Sequence, residues 1–446
     1  MKKTSEPEPE PSLRPLPSHF SLPLIGDTLS FIKDPGGFML RRSRELGRVF
    51  KANILGKDTV CLVGPEAFSL LLDDANAQRK GANAPHVEKL FDPHAVPFLD
   101  GEAHRRRKKL LMEAFTPAAL EEYLPVIEQI LSRYQKRWER VGTVALVPEL
   151  NAMGFNIAAT LFIGADPEAS AAGIETAFGQ IAAGLLSIPV ALPGTPYARA
   201  LKARESLLGI IDQAIAAHEQ APRKDVLSRL LSARVGDEKL GRDEVRIETF
   251  HFFGAYAAVI GGLSMLAKCL AQDPAVAACA REEIRREVPA GPLTLSTLSK
   301  LAYLDRVCKE SRRVAPTLAI TFFGQIKREL VFDGIRIPAG VSAVGCIGAT
   351  VLEERTYPDA LRFDPDRWLD PTEQQKAAWI PHGGGVHTEG HRCAGEALAT
   401  LMLKAFAVLL LREHTLQLLP GQDLSPTKDK LFATPAGGLH VRLGPA

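Results

Sequence analysis

Between Trp379 and Ala399 the chain reads W-I-P-H-G-G-G-V-H-T-E-G-H-R-C-A-G-E-A-L-A, a glycine-rich loop that delivers one cysteine, Cys393, to the start of an apolar helix. Backbone without Cβ atoms can approach a flat ligand closely and aim its amide N–H groups at a sulfur. The helix that follows turns its positive end toward the thiolate, an arrangement that favours a lowered cysteine pKa. Such a sulfur is suited to bind a metal. A structural cysteine in a tight turn is the plain alternative, and the loop alone leaves both open.

The rest of the composition narrows the class. A chain of 446 residues with 46% hydrophobic and 24% charged residues has an ordinary soluble globular balance. Its net charge of +2 gives no reason to expect nucleic acid or an anionic membrane as partner. Cys61, Cys269, Cys279, Cys308, Cys346 and Cys393 are scattered singly, which argues against a disulfide framework or a zinc site and for a reducing, cytoplasmic setting. Met1 to Pro17 is polar and proline-rich, so residues 1–17 are expected to form a disordered lead-in and 18–446 a single domain. No membrane span is expected, because Ala399–Leu411, the longest nearly apolar run, is broken by Lys404 and reads as a buried helix.

Periodicity predicts a mainly α chain with a small antiparallel β region. Val49–Leu55 and Thr59–Val63 read as strands around a Gly56-Lys57-Asp58 turn. Leu120–Arg140, Leu201–Glu219 and Asp243–Gln272 repeat apolar residues at helical spacing. Short strands return at Leu330–Phe332, Ile335–Ile337 and Val341–Cys346, punctuated by Gly334 and Pro338-Ala339-Gly340.

Two further motifs precede the cysteine loop. Glu310-Ser311-Arg312-Arg313 places Glu310 and Arg313 on one helix face, and Phe363-Asp364-Pro365-Asp366-Arg367-Trp368 supplies Arg367 to close a buried Glu–Arg–Arg cluster. In this order the three elements resemble the signature of the cytochrome P-450 superfamily, over nearly the whole chain. The resemblance implies the cytochrome P-450 fold and haem b, with Cys393 as axial thiolate ligand and Gly395 beside it. Thiolate ligation pushes electron density onto iron. Gly101–Lys108 is similar to the helix whose His104 and Lys108 would reach the haem propionates, and His391 and Arg392 would meet them from the loop. The basic run Arg105–Lys108 reads either as a solvated face or as a docking patch for an acidic electron-transfer partner.

The chain also departs from that family. Where most members carry an acid and an alcohol in the distal helix to relay protons, this sequence places Ala257 and Ala258, and Phe250 to Leu263 contains no Asp, Glu, Ser or Thr. Alanine can neither hold nor deliver a proton. His251 and Tyr256 are the nearest titratable groups. Gly254, Gly261 and Gly262 imply close approach of either a ligand or another helix. The lengthened loop from Gly385 to Cys393, and Phe323-Gly324, resemble the fatty-acid peroxygenases, which use hydrogen peroxide. Their Arg-Pro pair for a substrate carboxylate is missing, and the nearest helical arginine is Arg246. Leu22–Leu29 and Asn156–Gly164 resemble the retinoic-acid hydroxylase branch.

These readings predict a haem-thiolate oxidoreductase that oxygenates a hydrophobic small molecule, served by a ferredoxin- or flavodoxin-type partner or by peroxide alone. An isomerase or lyase acting on a lipid hydroperoxide, which needs no proton relay, is the second expectation. A non-catalytic haem or ligand-binding protein is the third. Residues 80–99 are expected to line the pocket.

Overall fold

The computed structural model describes residues 13–19, 26–54, 56–288, 290–428 and 430–446. Residues 1–12 of the expected lead-in and Leu22–Ile25 lie outside it, as does Leu55. Residues 13–19 lie extended: Arg14 bridges Ile335, and the carbonyl of Pro17 accepts from the Lys51 N–H at 2.8 Å. Backbone pairing thus orders the part of the lead-in that is described.

Helices dominate, as periodicity predicts. The expected segments appear as Pro117–Val141, Pro196–Gln220 and Arg242–Gln272. The first two are extended at their starts by a threonine cap and a proline at the first turn: Thr116 accepts from Ala119 N–H and Thr195 from Ala198 N–H. The third is capped from within its first turn by Glu244, whose carboxylate accepts from the Gly241 N–H at 2.8 Å. It then runs through the molecule for 31 residues, roughly 46 Å.

This central helix packs against Leu146–Ile163 and the cysteine helix, Glu396–Glu413, in one large apolar core. A Cβ on Gly154 would lie 2.4 Å from the Ile260 side chain, so glycine there permits the close crossing. Arg242–Gln272 and Leu146–Ile163 are long and apolar enough to cross a bilayer. Both are 72% buried in protein, and the cause of their composition is packing on all sides.

The β part is small and mainly antiparallel, as expected, with one parallel pair in the principal sheet. The principal sheet runs Val49–Ile54, Lys57–Leu62, Ser342–Gly345, Gly324–Ile326, Ala77–Gln78. Ser342–Gly345 is parallel to Lys57–Leu62, and the other pairings are antiparallel. The long helical excursion between those strands supplies the crossover that a parallel pair requires. A three-stranded sheet, His414–Leu418, His440–Pro445 and Thr143–Ala145, flanks the end of the cysteine helix.

Candidate functional site

The loop before Cys393 is built by its glycines. Gly383 and Gly385 have φ of 76° and 90°, values that a side chain would disfavour. Cys393 N–H donates to the His382 carbonyl at 2.9 Å, and the His387 ring approaches the Cys393 carbonyl at 3.1 Å. Burial pushes the Cys393 thiol up, while the Gly395 N–H and Lys108 act the other way. The net direction is upward, because desolvation outweighs both.

Behind the loop stands a buried charge cluster. Glu310 and Arg313 are each fully buried, with contacts of 2.9 Å (Nε to Oε2) and 2.8 Å (Nη2 to Oε1). Arg367 reaches Glu310 at 3.4 Å, and the Trp368 indole donates to it at 2.9 Å. Arg313 also donates to the carbonyls of Val351 and Ala360. The neighbouring Arg312 donates to His382 at 2.7 Å and lies over the Trp379 ring at 5.0 Å. That ties the Ala302–Val314 helix to the residue whose carbonyl holds Cys393 N–H, a link that sequence spacing does not reveal.

On one edge of the loop several nitrogen groups crowd together. The His104 and His391 rings lie 3.9 Å apart, and Lys108 donates to the carbonyls of Gly390 and Arg392. Burial, then Lys108, Arg79 and Arg105, lowers the His104 pKa to about 4. Burial likewise lowers Lys108 to about 8. His391 is lowered by burial, Arg79, His104 and Lys108, and its Nε2 is buried without a hydrogen-bond partner. Arg79, not singled out from sequence, belongs here: it is 5% exposed, pushed down to about 10 by burial, and its Nη1 has no partner. Burial is the first cause in each case, and the Asp74 carboxylate lies 3.9 Å from His391 Nε2 at the rim of the group. The structure does not bring Arg392 into this group, because its guanidinium is held by Glu396 at 2.6 and 2.7 Å.

Within the basic run Arg105 and Arg106 are partly exposed in surface ion pairs, as a solvated face would have them, whereas Arg107 is buried. Arg105 pairs with Glu102 and Asp74, Arg106 with Glu238 and Glu244, and Arg107 with Glu244 and Glu248.

The central helix forms the other side. Ala257, Ala258 and Val259 are half-buried and Ala255 is exposed, within a helix whose neighbouring residues are enclosed. A Cβ on Gly254 would lie 3.1 Å from Phe91 and 3.2 Å from Phe178, and one on Gly261 would lie 3.1 Å from Thr317. Those glycines admit protein side chains. Phe98 and Phe91 meet Phe322 edge-on at 5.0 and 5.7 Å, so the 80–99 segment does supply an apolar wall beside this helix. Tyr256 points elsewhere: its ring packs on Phe162 at 5.5 Å, its hydroxyl is buried without a partner, and burial pushes its pKa far up. It is no proton relay. Arg246 is occupied by Asp212 at 2.8 Å.

The model for the family described as cytochrome P-450 matches residues 15–442. The chain belongs to the cytochrome P-450 family. It is 31% identical to cytochrome P-450 120 of Synechocystis sp. over 94% of each chain. It is 29% identical to cytochrome P-450 26B1 of Danio rerio, over 89% of this chain and 80% of the other. Among solved structures, retinoic acid-bound cyanobacterial CYP120A1 superposes with a TM-score of 0.88 at 30% identity, covering 98% of this chain and 100% of that one. Cytochrome P-450SP alpha (CYP152B1) in complex with (R)-ibuprophen matches in fold, with a TM-score of 0.77 at 23% identity over 94% of this chain and 98% of that one.

Membership makes the chain a haem-dependent oxidoreductase of the monooxygenase type, whose iron takes a cysteine thiolate. The residues present fit that group. A sulfur stands at a glycine-lined helix start, the uncovered alanines of the central helix suit a flat apolar face, and the Arg79–His104–Lys108–His391 edge suits two carboxylates.

Proposed function

We propose that this protein is a haem-thiolate oxygenase of an apolar carboxylic acid, with Cys393 as the axial ligand. The observation that carries the reading is Cys393 itself, held by the His382 carbonyl at its N–H and by Gly395 at its sulfur, with the buried Glu310 cluster behind. When bound, haem supplies the oxidising chemistry, and the thiolate donates electron density to it. Arg79, His104, Lys108 and His391 would hold the propionates, and the Gly395 N–H is directed at the sulfur. Phe91, Phe98 and Phe322 exclude water from the distal side. The acid class is taken from relatives: one structure is described as retinoic acid-bound, and an Arabidopsis thaliana relative 27% identical is named ent-kaurenoic acid oxidase 2. The cytoplasm is the proposed location, consistent with six cysteines that are all free.

Ala257 and Ala258 favour use of hydrogen peroxide over a reductase, because no group in that stretch holds a proton for dioxygen cleavage. The same stretch keeps a second reading in view, rearrangement of a lipid hydroperoxide. The experiment is incubation of haem-loaded protein, without reductant, with apolar acids plus hydrogen peroxide and separately with lipid hydroperoxides, followed by mass spectrometry. Products that gain one oxygen in the peroxide arm support the proposal. Isomeric or dehydrated products from hydroperoxides alone would replace it with the lyase reading. If turnover requires dioxygen with a ferredoxin or flavodoxin, the peroxide preference is wrong.

A further inference from the structure

The central helix carries one polar pair that nothing above employs. Glu248 is fully buried. One carboxylate oxygen accepts from Val96 N–H at 2.9 Å and from Arg107 at 2.6 Å. The other lies 3.1 Å from Nδ1 of His251, three residues on. The contact sets the His251 tautomer with its proton on Nδ1, as a carboxylate partner does in general. Nε2 of His251 has no hydrogen-bonding protein group among the described residues, and the side chain remains 16% exposed. Helical spacing places His251 on the same face as Ala255 and Ala258, the uncovered alanines.

On the side away from Arg107, apolar groups adjoin the pair. Val96, which binds Glu248, begins the short segment that carries Phe98, and Phe98 packs with Phe91, Phe322, Leu431 and Ile247 in one cluster. A lone imidazole nitrogen beside such a wall can serve as the end of a proton wire or as a hydrogen-bonding anchor. The network behind it decides between these. Glu248 is ion-paired to Arg107, which leads on to Glu244 and Arg106. Arginine does not deprotonate, so protons cannot pass from the surface through Arg107 to His251. The pair is a fixed polar end-point.

We infer that His251, oriented by Glu248, is a specificity-determining residue that receives the carboxyl group of the apolar acid. This rests on the reading proposed above. Nε2, an acceptor in this tautomer, takes a hydrogen bond from the protonated carboxyl of the substrate, whose proton is taken up from solvent with the acid. His251 lies seven residues before Ala258, about 10 Å along the helix axis, so the apolar remainder of the substrate extends toward the alanines.

The test is binding, read without turnover. Retinoic acid and its methyl ester are titrated by calorimetry into haem-loaded parent, H251F, H251Q and E248Q proteins, with folding checked by circular dichroism. The parent is expected to bind the acid about tenfold or more tightly than the ester. H251F should lose that preference, H251Q should recover part of it, and E248Q should reduce it. Equal affinity of the parent for acid and ester, or an unchanged preference in H251F, would overturn the assignment. The reduced carbon monoxide spectrum of the same samples separates the two readings. Loss of the thiolate signature in the parent sinks the haem-thiolate proposal, whereas a normal spectrum with unaltered acid preference sinks only the anchor.

Discussion

The two sides of this site are built on opposite principles. Around the cysteine, polar groups are numerous and almost fully committed: Glu310 alone receives Arg313, Arg367, Trp368 and the Asp364 N–H. Along the middle of the central helix, from Phe250 to Leu263, the polar content falls to His251 and Tyr256 beside alanine, glycine and phenylalanine. A saturated ionic cluster fixes geometry, because removing either partner strands a buried charge. An apolar wall tolerates change and selects by shape. Substitutions on the first side should therefore cost structure, and substitutions on the second should alter what is bound or made.

Replacing Glu310 by Ala is expected to have the largest effect, destabilising the fold by about 3–5 kcal/mol. Thermal unfolding of the purified variant checks it. A melting point near that of the parent would erase the contrast between the two sides.

Acid should come next. The folded pKa of His104 is lowered to about 4 and that of His382 to about 3, both chiefly by burial. Unfolded histidine binds a proton near 6.5, so stability from these groups is complete above that pH. It is lost progressively as pH falls toward the folded values. Urea unfolding of haem-free protein at pH 7 and pH 4.5 should show clearly lower stability at pH 4.5.

Arg79→Ala sharpens the comparison at the edge where the two sides meet. Haem transfer to apomyoglobin should be faster by about tenfold, corresponding to one charge-assisted hydrogen bond. The carbonyl spectrum should keep its thiolate character. On the distal side, Ala257→Asp combined with Ala258→Thr should leave the melting point within about 1 kcal/mol of the parent. It should raise product formed per electron, by a few-fold, in dioxygen assays with a reductase. No change in that ratio would indicate that the alanines do not limit proton supply.

Much of this was legible in the sequence because the motifs are local. The Glu310–Arg313 spacing, the cysteine loop and the period of residues 242–272 each report a structure within a few turns of chain. What could not be read depends on burial and on distant partners. The pairing of Arg106 with Glu238 and Glu244 spans more than a hundred residues, so the basic run looked free. Arg79 had no motif, and only its buried, unpartnered Nη1 beside His391 marks it. Arg392 looked suited to a propionate, but Glu396 one helical turn on takes it. The parallel strand pair was hidden because its members are short and nearly three hundred residues apart.

The most direct measurement of the central claim is the reduced carbon monoxide spectrum of haem-loaded parent protein beside Cys393→Ser. The parent is expected to show the thiolate signature and the variant to lose it while still retaining haem through the Arg79–His104–Lys108–His391 edge. A variant spectrum identical to that of the parent would show that the sulfur on the iron is not Cys393, and the account would fail.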